Sequence, residues 1–159
     1  MDNMLPELIT FGNNVKQLRT KRGLSIKKAA ESIQYDRGCW SRMEKGQQDI
    51  EMTTVVKIAK MLDVYLPLLF SRNSFGSNGN EMVRGFVNED YLMIFASNVR
   101  RILEKLNKKQ VYIYAVTGMD ESNVNRILCE RSTNPQVSTL AKISTELKQD
   151  MAFMLSRNG

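Results

Sequence analysis

Arg37, Gly38, Ser41 and Arg42 are the residues of this chain whose types and spacing are best suited to recognition. Trp40 and Met43 are apolar and three positions apart, so in a helix they share the inward face and those four fall on the outward one. A guanidinium is a planar fork of donors that can bridge two acceptors at once, such as O6 and N7 of guanine. Gly38 either lets a backbone approach a ligand closely or simply weakens the helix, and the sequence leaves both readings open. A second segment has the same layout, with Val124 and Ile127 inward and Glu121, Ser122, Asn125 and Arg126 outward. There an asparagine can pair with adenine and a glutamate can accept from cytosine N4. The plain alternative is that these polar side chains only solvate exposed helices.

Catalytic chemistry has little to work with. The chain has no histidine, the commonest general base and metal ligand. No metal-ligand cluster and no phosphate-cradling glycine loop appears, so neither enzyme activity, metal nor cofactor is expected. Cys39 and Cys129 have no metal-site spacing and read as small packing residues of a protein from a reducing compartment. Lys plus Arg outnumber Asp plus Glu by 23 to 17, for a net charge of +6 and a pI near 9.4. Split after Asn80, both halves are positive, with 12 basic and 8 acidic residues and then 11 and 9. Such a balance suggests a polyanionic partner, although moderate positive charge is also common on inert surfaces. The N-terminal MDNMLPELIT lacks a basic lead and an apolar run, and no stretch approaches the ~18 apolar residues of a membrane span. A soluble cytoplasmic protein with no membrane contact is expected.

The elements that must position these residues repeat. Shifted by 84 positions the chain matches itself: FGNNVKQLRTK from Phe11 falls on FASNVRRILEK from Phe95, Asp36 falls on Asp120, and Arg42 falls on Arg126. One extra residue between Glu130 and Val137 makes the shift 85 afterwards, placing Lys57 on Lys142 and Leu62 on Leu147. Periodicity predicts helices throughout. In the first copy, helix one buries Val15, Leu18 and Leu24 and ends near Gly23. Ser25 caps a second helix with Ala29, Ala30 and Ile33 inward. Asp36 caps a third that stops at Gly46, a fourth runs from about Thr53 to Leu62, and Leu66 to Phe70 close the domain. The second copy predicts helices near 95–106, 109–117, 120–129 and 138–148, then Met151 to Leu155. The ten methionines read as core filler. The expected domains are 1–70 and 95–159. The segment 71–94 joins them: a linker rich in Ser, Asn and Gly, then a lead-in helix or a segment packed between the copies.

The stretch LSIKKAAESIQYDRGCWSRMEKG, from Leu24 to Gly46, resembles the Cro and phage-repressor (Xre-type) helix-turn-helix family. Leu24, Ser25, Ala30, Ile33, Trp40, Ser41, Arg42, Met43, Glu44 and Gly46 stand where that family's pattern places such residues. The stretch from Gln110 to Leu128 is a weaker match with the same turn at Gly118, Met119 and Asp120. Tandem copies also resemble the TraN-type transfer-operon repressors of Gram-positive conjugative plasmids. The resemblance implies an all-α chain of two tandem five-helix, lambda-repressor-like domains forming an internal pseudo-dimer. It makes Arg37, Gly38, Ser41, Arg42, Glu121, Ser122, Asn125 and Arg126 the base-reading residues. Gln110 stands at the start of helix two, where the family commonly has a glutamine on DNA, whereas the first copy has Ile26. Lys27, Lys28, Lys45, Lys108 and Lys109 are candidate phosphate contacts or plain surface lysines. The family often pairs an arginine late in helix one with a glutamate late in the recognition helix. Arg19 and Glu44 fit that pairing, and Leu103 and Leu128 replace them together in the second copy. Contact is therefore expected between Arg19 and Glu44, and between Leu103 and Leu128.

These readings converge on a sequence-specific regulator of transcription, a repressor, binding double-stranded DNA as a monomer with two non-identical recognition helices on an asymmetric or imperfectly palindromic site. The competing expectation is a protein-interaction module, antitoxin-like or accessory to conjugative transfer, with secondary DNA binding and an exposed apolar patch around Phe86 to Ile94.

Overall fold

The computed structural model describes residues 5–72, 84–129 and 133–157, so residues 73–83 of the Ser/Asn/Gly-rich stretch, and 130–132 of the stretch that takes the extra residue, lie outside the described residues. The described residues are helical, with no strand among them. They divide into two compact units, Met1–Val87 with Gln136–Ser138, and Asn88–Pro135 with Thr139–Gly159.

The first unit holds α1 (Pro6–Lys21), α2 (Ile26–Ser32), α3 (Arg37–Glu44), α4 (Met52–Met61) and a closing 3-10 helix at Leu66–Phe70. Pro6 supplies a preset φ at the start of α1, where its missing N–H costs no hydrogen bond. Ser25 and Asp36 cap α2 and α3 as expected, accepting from the backbone N–H of Lys28 at 3.1 Å and of Cys39 at 2.9 Å. The core gathers Phe11, Val15, Leu18, Trp40, Met43, Ile58, Leu62 and Leu69, all nearly inaccessible to solvent. Leu24 and Ile33, expected inside, are only half-buried, because both stand at the turns that bound α2. Gly46 adopts φ +74°, the left-handed conformation that ends α3. Gly12 has another role: a Cβ there would lie 2.2 Å from the Met43 carbonyl oxygen, so only glycine lets α1 lie this close to the end of α3. Gln136–Ser138 group with this unit through the Val137 N–H on the Ile50 carbonyl (2.7 Å) and the Ser138 N–H on Asp49 Oδ1 (3.1 Å).

The second unit holds α5 (Tyr91–Lys105), α6 (Val111–Thr117), α7 (Glu121–Cys129), α8 (Val137–Glu146) from Thr139 onward, and α9 (Met151–Met154). Among the described residues no lead-in helix precedes α5. Residues 84–90 have no regular structure, and α5 starts where Asp90 accepts from the Met93 N–H at 3.0 Å. Helix two of this unit begins at Val111 rather than near 109, with Gln110 at its cap position. Phe95, Val99, Ile113, Val124, Leu140 and Ile143 form the core. Ala96 stands 84 positions after Gly12 and is buried. Beside it, a groove of about 300 Å³ runs between α5 and the end of α7.

Each unit is closed by one buried asparagine. Asn14 Nδ2 donates to the carbonyls of Leu69 (2.9 Å) and Ser71 (2.8 Å), with a longer contact to Leu68 (3.4 Å). Asn98 Nδ2 does the same to Met154 (2.9 Å), Ser156 (3.0 Å) and Phe153 (3.4 Å). The donors are 84 positions apart and the acceptors 85, the two offsets of the sequence alignment. Turn conformations follow them too: φ is positive at Gly23 and Asn107, at Gln34 and Gly118, and at Asp63 and Lys148. The amide N–H groups satisfy the orphan carbonyls at the end of the last helical turn, a service only a donor can perform. Asn14→Ala should therefore destabilise its unit by about 1–3 kcal/mol. Asn14→Asp should cost more, since a carboxylate would face three carbonyl oxygens, and Asn98 should behave in the same way. Urea unfolding of the four variants measures the order.

Candidate nucleic-acid interface

The candidate surface is one face of α3, and a buried carboxylate holds that helix in place. Glu44, at the last turn of α3, has only 5% of its side chain exposed and accepts from Arg19 Nε at 2.6 Å and Nη2 at 3.0 Å. Trp40 Nε1 donates to the same carboxylate at 2.7 Å, and Arg19 Nη1 donates to the Leu24 carbonyl at 2.7 Å. The expected Arg19–Glu44 pair is thus part of a larger cluster that joins α1, the turn before α2 and α3. The indole's share was not foreseen, because an apolar pattern reports which way Trp40 faces but not what its N–H meets.

With Trp40, Met43 and Glu44 buried, Arg37, Gly38 and Arg42 are exposed and Ser41 half-buried. Arg42 is oriented along α3, its Nε donating to Gln48 Oε1 at 3.3 Å and its Nη2 to Cys39 Sγ at 3.1 Å. Lys27, Lys28 and Lys45 are also exposed. The Cys39 backbone N–H holds the exposed Asp36 carboxyl below its ordinary range, while burial pushes the Tyr35 phenol up. Tyr35 packs edge-on against Trp40 with ring centroids 6.5 Å apart, so the turn before α3 is fixed from within.

In the second unit the cluster is absent. Leu103 and Leu128 are both buried, and α5 packs against α7, with Val124 at the place of Trp40. Arg100 donates to the Leu128 carbonyl at the end of α7. Glu121, Ser122, Asn125 and Arg126 are all exposed. Gln110 Nε2 donates to the Tyr114 hydroxyl at 2.8 Å and to Asn125 Oδ1 at 3.1 Å, so α6 braces a side chain of α7. No such link exists where Ile26 replaces the glutamine. Lys109 is exposed, and the Lys108 ammonium, also exposed, lies 5.4 Å from the Tyr112 ring centroid. Cys129 is exposed rather than packed, because α7 ends at the surface, and Cys39 is half-buried.

Residues 10–69 match the profile of a helix-turn-helix domain family. That segment runs from the fifth residue of α1 through all but the last residue of the closing 3-10 helix, and it contains the Glu44 cluster and the exposed arginines. The family is one of DNA-binding domains and not of enzymes, which points to a DNA-binding regulator. No curated protein and no solved structure shows significant similarity to the chain. No helix among the described residues is long and apolar enough to cross a membrane.

Two outcomes test how α3 is held. Glu44→Leu alone leaves a half-buried guanidinium and an indole N–H without their acceptor and should destabilise the first unit by about 3–5 kcal/mol. Adding Arg19→Leu should recover a substantial part of that loss, a coupling that a double-mutant cycle in urea reads directly. For the cap, Asp36→Ala should lower the melting temperature at neutral pH. A depressed carboxyl pKa stabilises above the unfolded value and is lost as pH falls through the folded one. The gap between Asp36→Ala and the parent should therefore narrow in acid, as melting curves across that range would record.

Proposed function

We propose that the chain is a sequence-specific double-stranded DNA-binding repressor that reads its site with two non-identical recognition helices, α3 and α7. The observation that carries this reading is α3 itself: a helix within the matched segment, clamped from inside by Glu44, that turns Arg37, Gly38 and Arg42 to solvent. Asp36 caps its first turn, which exposes Arg37, and its last turn exposes Arg42, side chains of the kind that major-groove contact uses. Arg37, Gly38, Ser41 and Arg42 read bases, and Lys27, Lys28 and Lys45 contact phosphates.

For α7 the support is correspondence. The asparagine closures and the positive-φ turns recur at the same offsets, and the outward positions on α7 are again polar. Glu121, Ser122, Asn125 and Arg126 are assigned as its readers, with Lys108, Lys109 and Gln110 beside them. Glu121 in place of Arg37 makes identical half-sites unreadable by both helices, so the site is asymmetric or imperfectly palindromic. The two helices lie in one chain, so a monomer does what a symmetric dimer does elsewhere, with avidity supplied by covalent connection. Occupancy of a promoter by such a reader blocks polymerase without further machinery, and a TraN-like role at a transfer operon would be one instance.

Arg42→Ala should weaken binding to a selected duplex by about 1–3 kcal/mol, roughly 10- to 100-fold, while changing affinity for random duplex little. Lys27→Ala or Lys45→Ala should weaken both alike and reduce the salt slope by about one. Fluorescence anisotropy across a salt series separates the two patterns. Equal losses on specific and random duplex for Arg42→Ala would remove it from base reading.

A further inference from the structure

We propose that Gln110 is a positioning residue for α7: it holds Asn125 with the amide oxygen turned inward, so that this side chain offers DNA only donors. The role rests on the proposed reading of bases by α7. An asparagine free to rotate meets adenine with both ends of its amide, Oδ1 accepting from N6 and Nδ2 donating to N7. That pairing needs an available oxygen. In α7 the Asn125 Oδ1 already accepts from Gln110 Nε2 at 3.1 Å and from Cys129 Sγ at 3.4 Å. An amide oxygen has two lone pairs, and these two donors occupy both. Asn125 is exposed, and among the described residues no hydrogen bond engages its Nδ2.

The glutamine is itself held in place. Its Nε2 carries two N–H groups, and the second donates to the Tyr114 hydroxyl at 2.8 Å. Tyr114 lies one turn along α6 and is half-buried, so it anchors Gln110 while Gln110 anchors Asn125. With both N–H groups committed, Gln110 has no donor left for a phosphate or a base, and it acts through Asn125. The first unit lacks the device. Ser41 stands 84 positions before Asn125 and Ile26 84 before Gln110, and an aliphatic side chain cannot orient a hydroxyl. A group that only donates selects bases by their acceptors. Guanine shows two in the major groove, N7 and O6, whereas adenine sets its N6 donor beside N7, where Nδ2 would oppose it. Asn125 thus reads guanine in preference to adenine, the reverse of what its residue type alone suggests.

The test uses the full chain and a duplex that it selects from a randomised pool, with each base pair replaced in turn and affinity read by fluorescence anisotropy. The position where Asn125→Ala abolishes discrimination is the one that Asn125 reads. There the parent should bind guanine about 10-fold more tightly than adenine. Gln110→Glu puts an acceptor where the donor stood, which draws Nδ2 inward and turns Oδ1 to solvent, so the ratio should invert toward adenine. Asn125→Asp keeps one oxygen for Gln110 and presents the other, and should also lose the preference for guanine. A ratio between two duplexes cancels any uniform loss from added charge or a weakened fold, so a merely structural Gln110 would leave it unchanged. Adenine preferred by the parent, an unchanged ratio in Gln110→Glu, or no position dependent on Asn125 overturns the inference, with α7 still a reader through Arg126. If Asn125→Ala combined with Arg126→Ala leaves affinity unchanged, α7 is not a reader and the role of Gln110 falls with it.

Discussion

One buried carboxylate constrains everything at the candidate surface. Glu44 is removed from water, which costs a carboxylate several kcal/mol unless its oxygens are satisfied. Arg19 and the Trp40 indole meet that requirement from α1 and from one turn earlier in α3. The arrangement fixes the rotation of α3 about its own axis. If α3 turned by one residue's angle, about 100°, Trp40 and Glu44 would leave their partners and Arg42 would leave the exposed face. The exposed arginines are thus placed by a group that never reaches the surface.

The second unit fixes its equivalent helix by other means. Where the first has Arg19, Trp40 and Glu44, it has Leu103, Val124 and Leu128, and the polar cluster gives way to apolar packing. Polar bracing appears instead at the surface, where Gln110 joins Tyr114 to Asn125. The closures at Asn14 and Asn98 are common to both, because carbonyls at the end of a helical turn need donors whatever the rest of the core contains. Differences gather where alternatives are physically interchangeable, and identity persists where only one side chain supplies the chemistry.

This distinction also explains what was legible in the sequence. The faces of α3 and α7 followed from spacing alone, since helical period decides direction. Ser25, Asp36 and Gly46 announced helix ends because capping and left-handed turns demand particular residue types. Arg19 and Glu44 were paired only through resemblance, as no local rule joins positions 25 apart. The indole bond to Glu44, the Gln110–Asn125 contact and the exposure of Cys129 stayed hidden because each depends on tertiary placement. Asn14 and Asn98 were visible as an identity between the halves, and a polar residue kept on an apolar helix face was the available sign of a buried donor. Residues 84–87 read as part of a lead-in helix or of a segment packed between the copies, and only their contacts with Asp63 and Tyr65 assign them to the first unit.

The two ways of holding α3 and α7 have a consequence for exchange between the units. A chimera joined between positions 19 and 44 would combine one unit's first helix with the other's third. The product would set Arg19 against a leucine, or Leu103 against a glutamate, with a charge buried alone in either case. Such hybrids would be destabilised. The cluster around Glu44 and its leucine counterpart can therefore be exchanged only as whole sets.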